Sequence, residues 1–168
     1  MKRIILSLFV LFLSCNNASA QNSKDAFTST GYPVPRFVSI RSGEAYARTG
    51  PGKQYPIRYV YQRKNLPVEI VLEYEGWRKI RDQKGEESWV HNSLLSGKRT
   101  GLIKSKANVK IMRAPESDSK TMAEIESGAI VEIEECLKGN WCKINAAGYK
   151  GWIMRKNLWG IYQNEFFD

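Results

Sequence analysis

The sequence is poor in the residues that do covalent and metal chemistry. It has one histidine, His91, and three cysteines, of which Cys15 lies within the first twenty residues. A zinc set needs four well-spaced donors, and Cys136 and Cys142 have no histidine near them. A Cys–His nucleophile pair needs a thiolate beside its base, whereas His91 and the two downstream cysteines fall in different halves of the chain. Glu86 and Glu87 beside Trp89 imitate a glycosidase pair. Neighbours on a strand point to opposite faces, so they do not face each other across the roughly 5 to 9 Å that such chemistry uses. Gly50-Pro51-Gly52-Lys53 lacks the spacing and the following helix of a phosphate loop. No catalytic residue, metal site or cofactor is therefore assigned. Beyond the start of the chain there is no run of eighteen apolar residues and no stretch with helical periodicity.

What is present begins with an export signal. Lys2 and Arg3 precede the apolar run from Ile4 to Leu13, and Ala18-Ser19-Ala20 supplies a small-x-small cleavage site. The run is about ten residues, half of the roughly 20 that a spanning helix needs. Residues 1–20 read as a signal peptide cleaved after Ala20, with the mature chain periplasmic or secreted. Lipid attachment at Cys15 is the alternative, although Phe12 and Leu13 fit that motif poorly. The formal net charge is +9, and it is uneven. Between Arg36 and Arg99 there are thirteen Lys and Arg against seven Asp and Glu; from Thr100 onward there are ten against nine. The positive field of the first half attracts anionic partners.

A repeat accounts for most of the remaining chain. Val68-Glu69-Ile70 leads to Gly76-Trp77-Arg78-Lys79-Ile80, then Gly85, then Trp89-Val90. Val131-Glu132-Ile133 leads to Gly139-Asn140-Trp141-Cys142-Lys143-Ile144, then Gly148, then Trp152-Ile153. Upstream, Arg48-Thr49-Gly50-Pro51 aligns with Arg113-Ala114-Pro115. Each copy reads as short β-branched strands separated by Gly and Asn turns, which predicts a small all-β barrel or sandwich. Units of about sixty residues lie near the lower limit for a self-sufficient core, so the two should pack together or need a covalent staple.

The order Arg-x-Gly-Pro, Gly-Trp-x-x-β-branched, Gly turn, Trp-β-branched resembles the bacterial SH3-like (SH3b) family. In the first copy the residues that carry it are Arg48, Gly50, Pro51, Gly76, Trp77, Ile80, Gly85, Trp89 and Val90. In the second they are Arg113, Pro115, Gly139, Trp141, Ile144, Gly148, Gly151, Trp152 and Ile153. The flanking segments, Tyr32 to Ser39 and Leu158 to Tyr162, look like those of an exported subfamily of alphaproteobacterial type. The copies depart from each other at two positions: Ser88 stands where Gly151 sits, and Pro115 has no glycine before it. The resemblance implies two tandem SH3-like β-barrels, at 36–99 and 100–162, after an extended segment at 21–35 and before a tail at 163–168.

The resemblance also implies a groove lined by aromatic rings between the first long loop and the hairpin turns, where extended peptides dock. By that analogy Tyr46, Tyr55, Tyr59 and Trp77 are groove candidates in the first barrel, with Arg48 and Arg78 for anionic groups. Trp77, Trp89, Trp141 and Trp152 also read as core or semi-core residues that hold the barrels together. The implied function is a non-catalytic exported module that binds the carboxylate-bearing peptides of peptidoglycan through the basic first barrel, with the second as support. The alternatives are an adaptor docking on an envelope protein, such as an accessory subunit of a cell-wall enzyme, and a binder of anionic lipid or nucleic acid. Export argues against nucleic acid as partner.

Cys136 and Cys142 flank the Lys138-Gly139-Asn140 turn, and in an oxidising compartment such a pair is a disulfide candidate. Free buried thiols are the alternative. Closing so short a loop contributes about 2 kcal/mol on the chain-entropy model. The counterparts in the first copy, Glu73 and Arg78, offer a cross-strand ion pair, worth about 0 to 1 kcal/mol if exposed. Mass spectrometry after alkylation without reductant should find no modified thiol in the mature chain; two alkylated cysteines would exclude the bridge.

Overall fold

Alternating burial shows how these residues make strands. Val68 and Ile70 point inward while Glu69 and Val71 are partly exposed, and Val131 and Ile133 alternate with Glu132 and Glu134 in the same way. The computed structural model describes residues 30–168, so the signal-peptide reading of residues 1–20 lies outside them. The first copy contains β1 (Arg36–Ile40), β2 (Ala45–Arg48), β3 (Ile57–Tyr61), β4 (Pro67–Tyr74), β5 (Trp77–Arg81), β6 (Glu87–His91) and β7 (Leu95–Ser96), with a 3-10 turn at Asn92–Leu94. The second repeats it as β8 (Thr100–Ile103), β9 (Val109–Met112), β10 (Thr121–Ile125), β11 (Ile130–Cys136), β12 (Trp141–Ala146), β13 (Tyr149–Met154) and β14 (Leu158–Trp159), with a 3-10 turn at Arg155–Asn157. Strand order is identical: β3-β2-β6-β5-β4-β1-β7 and β10-β9-β13-β12-β11-β8-β14. The fold is all-β, two tandem SH3-like units as the resemblance implied, and each has its own apolar core.

The long strand of each unit carries a bulge. In β4 the pairing with β5 shifts between Ile70 and Leu72, and in β11 the pairing with β12 shifts between Ile133 and Glu135. A bulge inserts one residue and turns the following side chains to the other face. The residues that reach the interior at the hairpin tip are therefore Glu73 and Cys136, opposite Arg78 and Cys142. In the second unit the two cysteines are bonded (S–S 2.00 Å, Cα–Cα 4.1 Å). In the first, the Glu73–Arg78 pair is not the exposed contact that would contribute little. Glu73 is fully buried, Arg78 is 4 % exposed, and Arg78 Nε lies 3.0 Å from the carboxylate. Arg36 adds a second guanidinium, and Thr30 donates from both its backbone N–H and its hydroxyl. A buried charge is tolerable only when its lone pairs are satisfied this fully.

The units pack through a small aromatic joint. Phe37 lies against Trp159 (centroids 5.1 Å) and Tyr162 (4.7 Å), and the Tyr162 hydroxyl donates to Glu69 (2.8 Å). Burial and the neighbouring Glu69 carboxylate push the Tyr162 phenol up. Thr100 donates to the Asn65 carbonyl, and Arg99 donates to those of Phe37 and Gly160. The predicted tail at 163–168 is part of the second unit: Phe167 bridges to Cys136, and buried Arg155 donates to the Tyr162, Gln163 and Glu165 carbonyls. Packing and staple are both present.

For Glu73, burial raises the carboxyl pKa, but the hydrogen bonds from Thr30 and Arg36 and the charges of Arg36 and Arg78 outweigh it, leaving the group below its ordinary value. A depressed carboxyl stabilises fully above the unfolded value, about 4.3, and loses that contribution as pH falls through the folded one. Denaturant unfolding monitored from pH 7 to pH 3 should show the first unit weakening below about pH 4. Glu73→Gln should cost about 3–5 kcal/mol at pH 7 and flatten the acid limb.

Candidate functional site

β2 has the shortest alternation and the clearest division of faces: Ala45 and Ala47 are buried, while Tyr46 and Arg48 point out. Arg48 pairs with Trp89 on β6, and Trp77 on β5 pairs with His91. The outward face of β2-β6-β5 therefore presents Tyr46, Arg48, Trp89, His91 and Trp77 together. The tryptophans are semi-core: all four repeat tryptophans are half-buried and alternate with core positions such as Ile80, Val90, Ile144 and Ile153. The Trp77 ring meets the His91 ring edge-on at 5.3 Å, and His91 Nδ1 shares a 2.7 Å hydrogen bond with the Ser93 hydroxyl.

The loop after β2 is organised by Arg48, whose guanidinium donates to the Lys53 carbonyl (3.1 Å) and the Tyr55 carbonyl (2.7 Å). That contact brings Tyr55 back beside β2. Four of the nominated residues, Tyr46, Arg48, Tyr55 and Trp77, thus fall on one surface. Two do not. Arg78 is consumed in the buried pair with Glu73, because it alternates with Trp77 and Lys79 on β5. Tyr59 packs against the core from the opposite face of β3, and its hydroxyl donates to Glu86 (2.8 Å). Glu86, in the turn before β6, also pairs with Arg58, and Glu87, the first residue of β6, pairs with Lys79 and Arg81. Glu44 beside Tyr46 raises the Tyr46 phenol through a hydrogen bond and its charge.

The same surface in the second unit holds a cavity of about 560 Å³ lined by Lys110, Met112, Ser119, Trp141, Met154 and Lys156 among others. Strand pairing fixes the correspondence. Met112 lies opposite Trp152 as Arg48 lies opposite Trp89, and Trp141 lies opposite Met154 as Trp77 lies opposite His91. Arg48 therefore corresponds to Met112, not to Arg113 as the sequence alignment suggested. Tyr46, Tyr55 and Trp77 correspond to Lys110, Ser119 and Trp141. Applying the repeat spacing to the four residues on the first surface would have found this second groove. Among the described residues Arg48, Lys110 and Lys156 take part in no carboxylate ion pair, while Glu44 lies beside Tyr46 and Glu124 stands opposite Lys110 across β9 and β10. A separate cavity of about 450 Å³ lies at the other end of the first unit, between Tyr32, Arg36 and Phe37 and the residues Asn92, Leu95 and Ser96. The described residues contain no cluster of three or more His, Cys, Asp or Glu able to hold a metal ion.

The two departures between the copies prove to be compensated changes of size. The loop has the same backbone bonds in both: Gly52 N–H to Gly50 O and Tyr55 N–H to Gly52 O match Glu116 N–H to Ala114 O and Ser119 N–H to Glu116 O. Gly50 is required because the Tyr55 ring occupies the space of a β-carbon there. In the second copy Ser119 replaces that ring and accepts from the Ala114 N–H, so alanine fits. Likewise a β-carbon on Gly151 would lie 2.5 Å from Ile111 and 2.7 Å from the Met112 carbonyl. The first copy has Ala47 in place of Ile111, and that leaves room for buried Ser88.

These pairs yield a test. Gly50→Ala alone should destabilise the first unit by about 1–3 kcal/mol, the cost of overpacking. Adding Tyr55→Ser should recover most of it, and a double-mutant cycle by chemical denaturation reads the coupling.

A family model for the bacterial SH3 domain matches residues 41–97 and 105–160. Among solved structures, the chain is similar to NlpC1 of Trichomonas vaginalis at 16 % identity and a TM-score of 0.35, covering 82 % of this chain and 50 % of that one. NlpC2 of the same organism matches at 16 % identity and a TM-score of 0.34, with 77 % and 49 % covered. A putative autolysin from Listeria monocytogenes matches at 13 % identity and a TM-score of 0.33, with 79 % and 65 % covered. The chain thus spans about half to two thirds of the length of these structures. No curated protein sequence matches it.

Proposed function

The chain belongs to the bacterial SH3 domain family in two tandem copies, and from that premise we propose that it is a non-catalytic binding module of the cell envelope whose outer grooves take the carboxylate-bearing peptides of peptidoglycan. The observation that carries this reading is the coincidence of the two surfaces. Tyr46, Arg48, Tyr55 and Trp77 stand at the positions that line the 560 Å³ groove of the second unit. Each groove joins a half-buried tryptophan to basic side chains, Arg48 in the first and Lys110 and Lys156 in the second. An aromatic wall beside basic side chains suits an extended peptide bearing free carboxylates: the ring covers its apolar stem and the cation draws in the anionic group.

The division of labour changes with the geometry. The first unit carries the larger net positive charge, while the open cavity lies in the second. Both grooves are therefore assigned to binding, the first by charge and tyrosines, the second by shape. No helix among the described residues is long and apolar enough to cross a membrane.

The mature protein should be retained on purified insoluble peptidoglycan at moderate salt. Tyr55→Ala and Trp141→Ala should each weaken retention about fivefold or more, as truncation of an aromatic anchor does. Retention no greater than that of an unrelated basic barrel would reject the reading. Crosslinking in the native envelope that recovers one protein instead would favour an adaptor.

A further inference from the structure

The groove at Trp141 differs from its counterpart in the first unit by the side chains around the ring. Trp141 of β12 pairs with Met154 of β13, and the register that sets Met112 opposite Trp152 brings Lys110 of β9 level with Met154. The equivalent row in the first unit is Trp77, His91 and Tyr46. Asn108, Lys156, Asn157 and Ser117 complete the wall of the second groove. Strand register, the 3-10 turns and the loop bonds place Glu44, Ser93, Leu94 and Lys53 at those positions in the first unit. Two carboxamides, Asn108 and Asn157, therefore replace a carboxylate and an apolar side chain. Ser105 and Ser119, also in the lining, accept from the backbone N–H groups of Ala107 and Ala114. Among the described residues, the side chains of Asn108, Ser117 and Asn157 make no hydrogen bond.

We propose that this groove holds an N-acetylated amino sugar, with Trp141 as the platform under the ring. The inference rests on the cell-wall reading above, because that polymer carries its peptides on such sugars. A sugar ring has a C–H face that covers an aromatic ring and a rim of hydroxyls that need donors and acceptors together. A carboxamide offers both, and the N–H and C=O of an acetamido group are its matching pair. The ammonium groups of Lys110 and Lys156 supply further donors, and the flexible thioethers of Met112 and Met154 adapt to the apolar face. Charge points the same way. Glu124 stands opposite Lys110 across β9 and β10, so the groove is mixed in sign and suits a neutral polar ligand better than a polyanion. The first groove, with Arg48, Tyr46 and Tyr55, keeps the features an extended peptide uses.

The test uses the whole mature chain, isotope-labelled, titrated with triacetylchitotriose and separately with the free-carboxylate peptide acetyl-Lys-D-Ala-D-Ala. The trisaccharide should give saturable shifts centred on the Trp141 indole and the Asn108 and Asn157 carboxamides. Trp141→Ala should weaken it at least about tenfold. Asn108→Ala, an exposed position that leaves the core untouched, should weaken it about threefold or more. Tyr46→Ala and Tyr55→Ala should leave trisaccharide binding unchanged. Peptide shifts at Tyr46 and Tyr55 without a saturable trisaccharide shift would overturn the sugar site and leave the peptide reading standing. Trisaccharide shifts at Trp141 without any peptide shift would support the sugar site and reject the peptide reading. Trisaccharide shifts centred on Trp77, or binding undiminished in both Trp141→Ala and Asn108→Ala, would also overturn the proposal.

Discussion

In both long strands, β4 and β11, a bulge moves the inward phase by one residue, so Glu73 and Cys136 face the interior beside the hairpin tip. Whatever occupies that position must cross to the opposite arm, because a polar or reactive group left alone there would be costly. The second unit answers with a covalent bond and the first with a carboxylate held by two arginines and a threonine. Other features follow from these choices. The carboxylate draws in Arg36 and Thr30 and so ties down the chain before β1. On the far side, the strand of Cys136 takes Phe167 as an extra bridge, and Arg155 secures the tail.

The copies keep one backbone while exchanging volume between neighbours. Gly50 with Tyr55 becomes Ala114 with Ser119; Ala47 with Ser88 becomes Ile111 with Gly151; Tyr59 and Tyr61 become Ala123 and Ile125. Each exchange preserves close packing locally, which cores require, but moves empty space elsewhere. Tyrosines fill the lower gap of the first unit, and its groove positions carry bulky Tyr46, Arg48 and Tyr55. The second unit has Lys110, Met112 and Ser119 at the groove positions and Ala123 and Ile125 in the lower gap, and cavities appear in both places. Duplication followed by such swaps gives one chain two surfaces of common design and different shape.

The joint between the units explains how two small barrels persist as a pair. Phe37 sits against Trp159 and Tyr162, and the phenol of Tyr162 is anchored on Glu69 of the other unit. Aromatic contacts of this kind join apolar area to one directed hydrogen bond. They also leave both outer faces of β2-β6-β5 and β9-β13-β12 clear of the joint, so packing together does not close either groove.

Much of the organisation is determined by the sequence alone. The repeat of Trp, Gly and β-branched residues marks two all-β units, because strand alternation and turn chemistry are local properties written in consecutive residues. The Cys136–Cys142 bridge was legible from two cysteines flanking one turn, whereas Tyr46, Arg48, Tyr55 and Trp77 were singled out by what the family resemblance implies. Tertiary structure alone decided the rest. Which face a residue takes depends on bulges, and a one-residue shift turns Arg78 from a surface cation into the partner of a buried acid. That Arg48 corresponds to Met112 follows from pairing across strands far apart in sequence, where neighbouring arginines mislead an alignment. The open groove of the second unit is lined by residues from separate strands, Lys110 and Met112 of β9, Trp141 of β12 and Met154 of β13, and it becomes visible only when those strands are placed side by side.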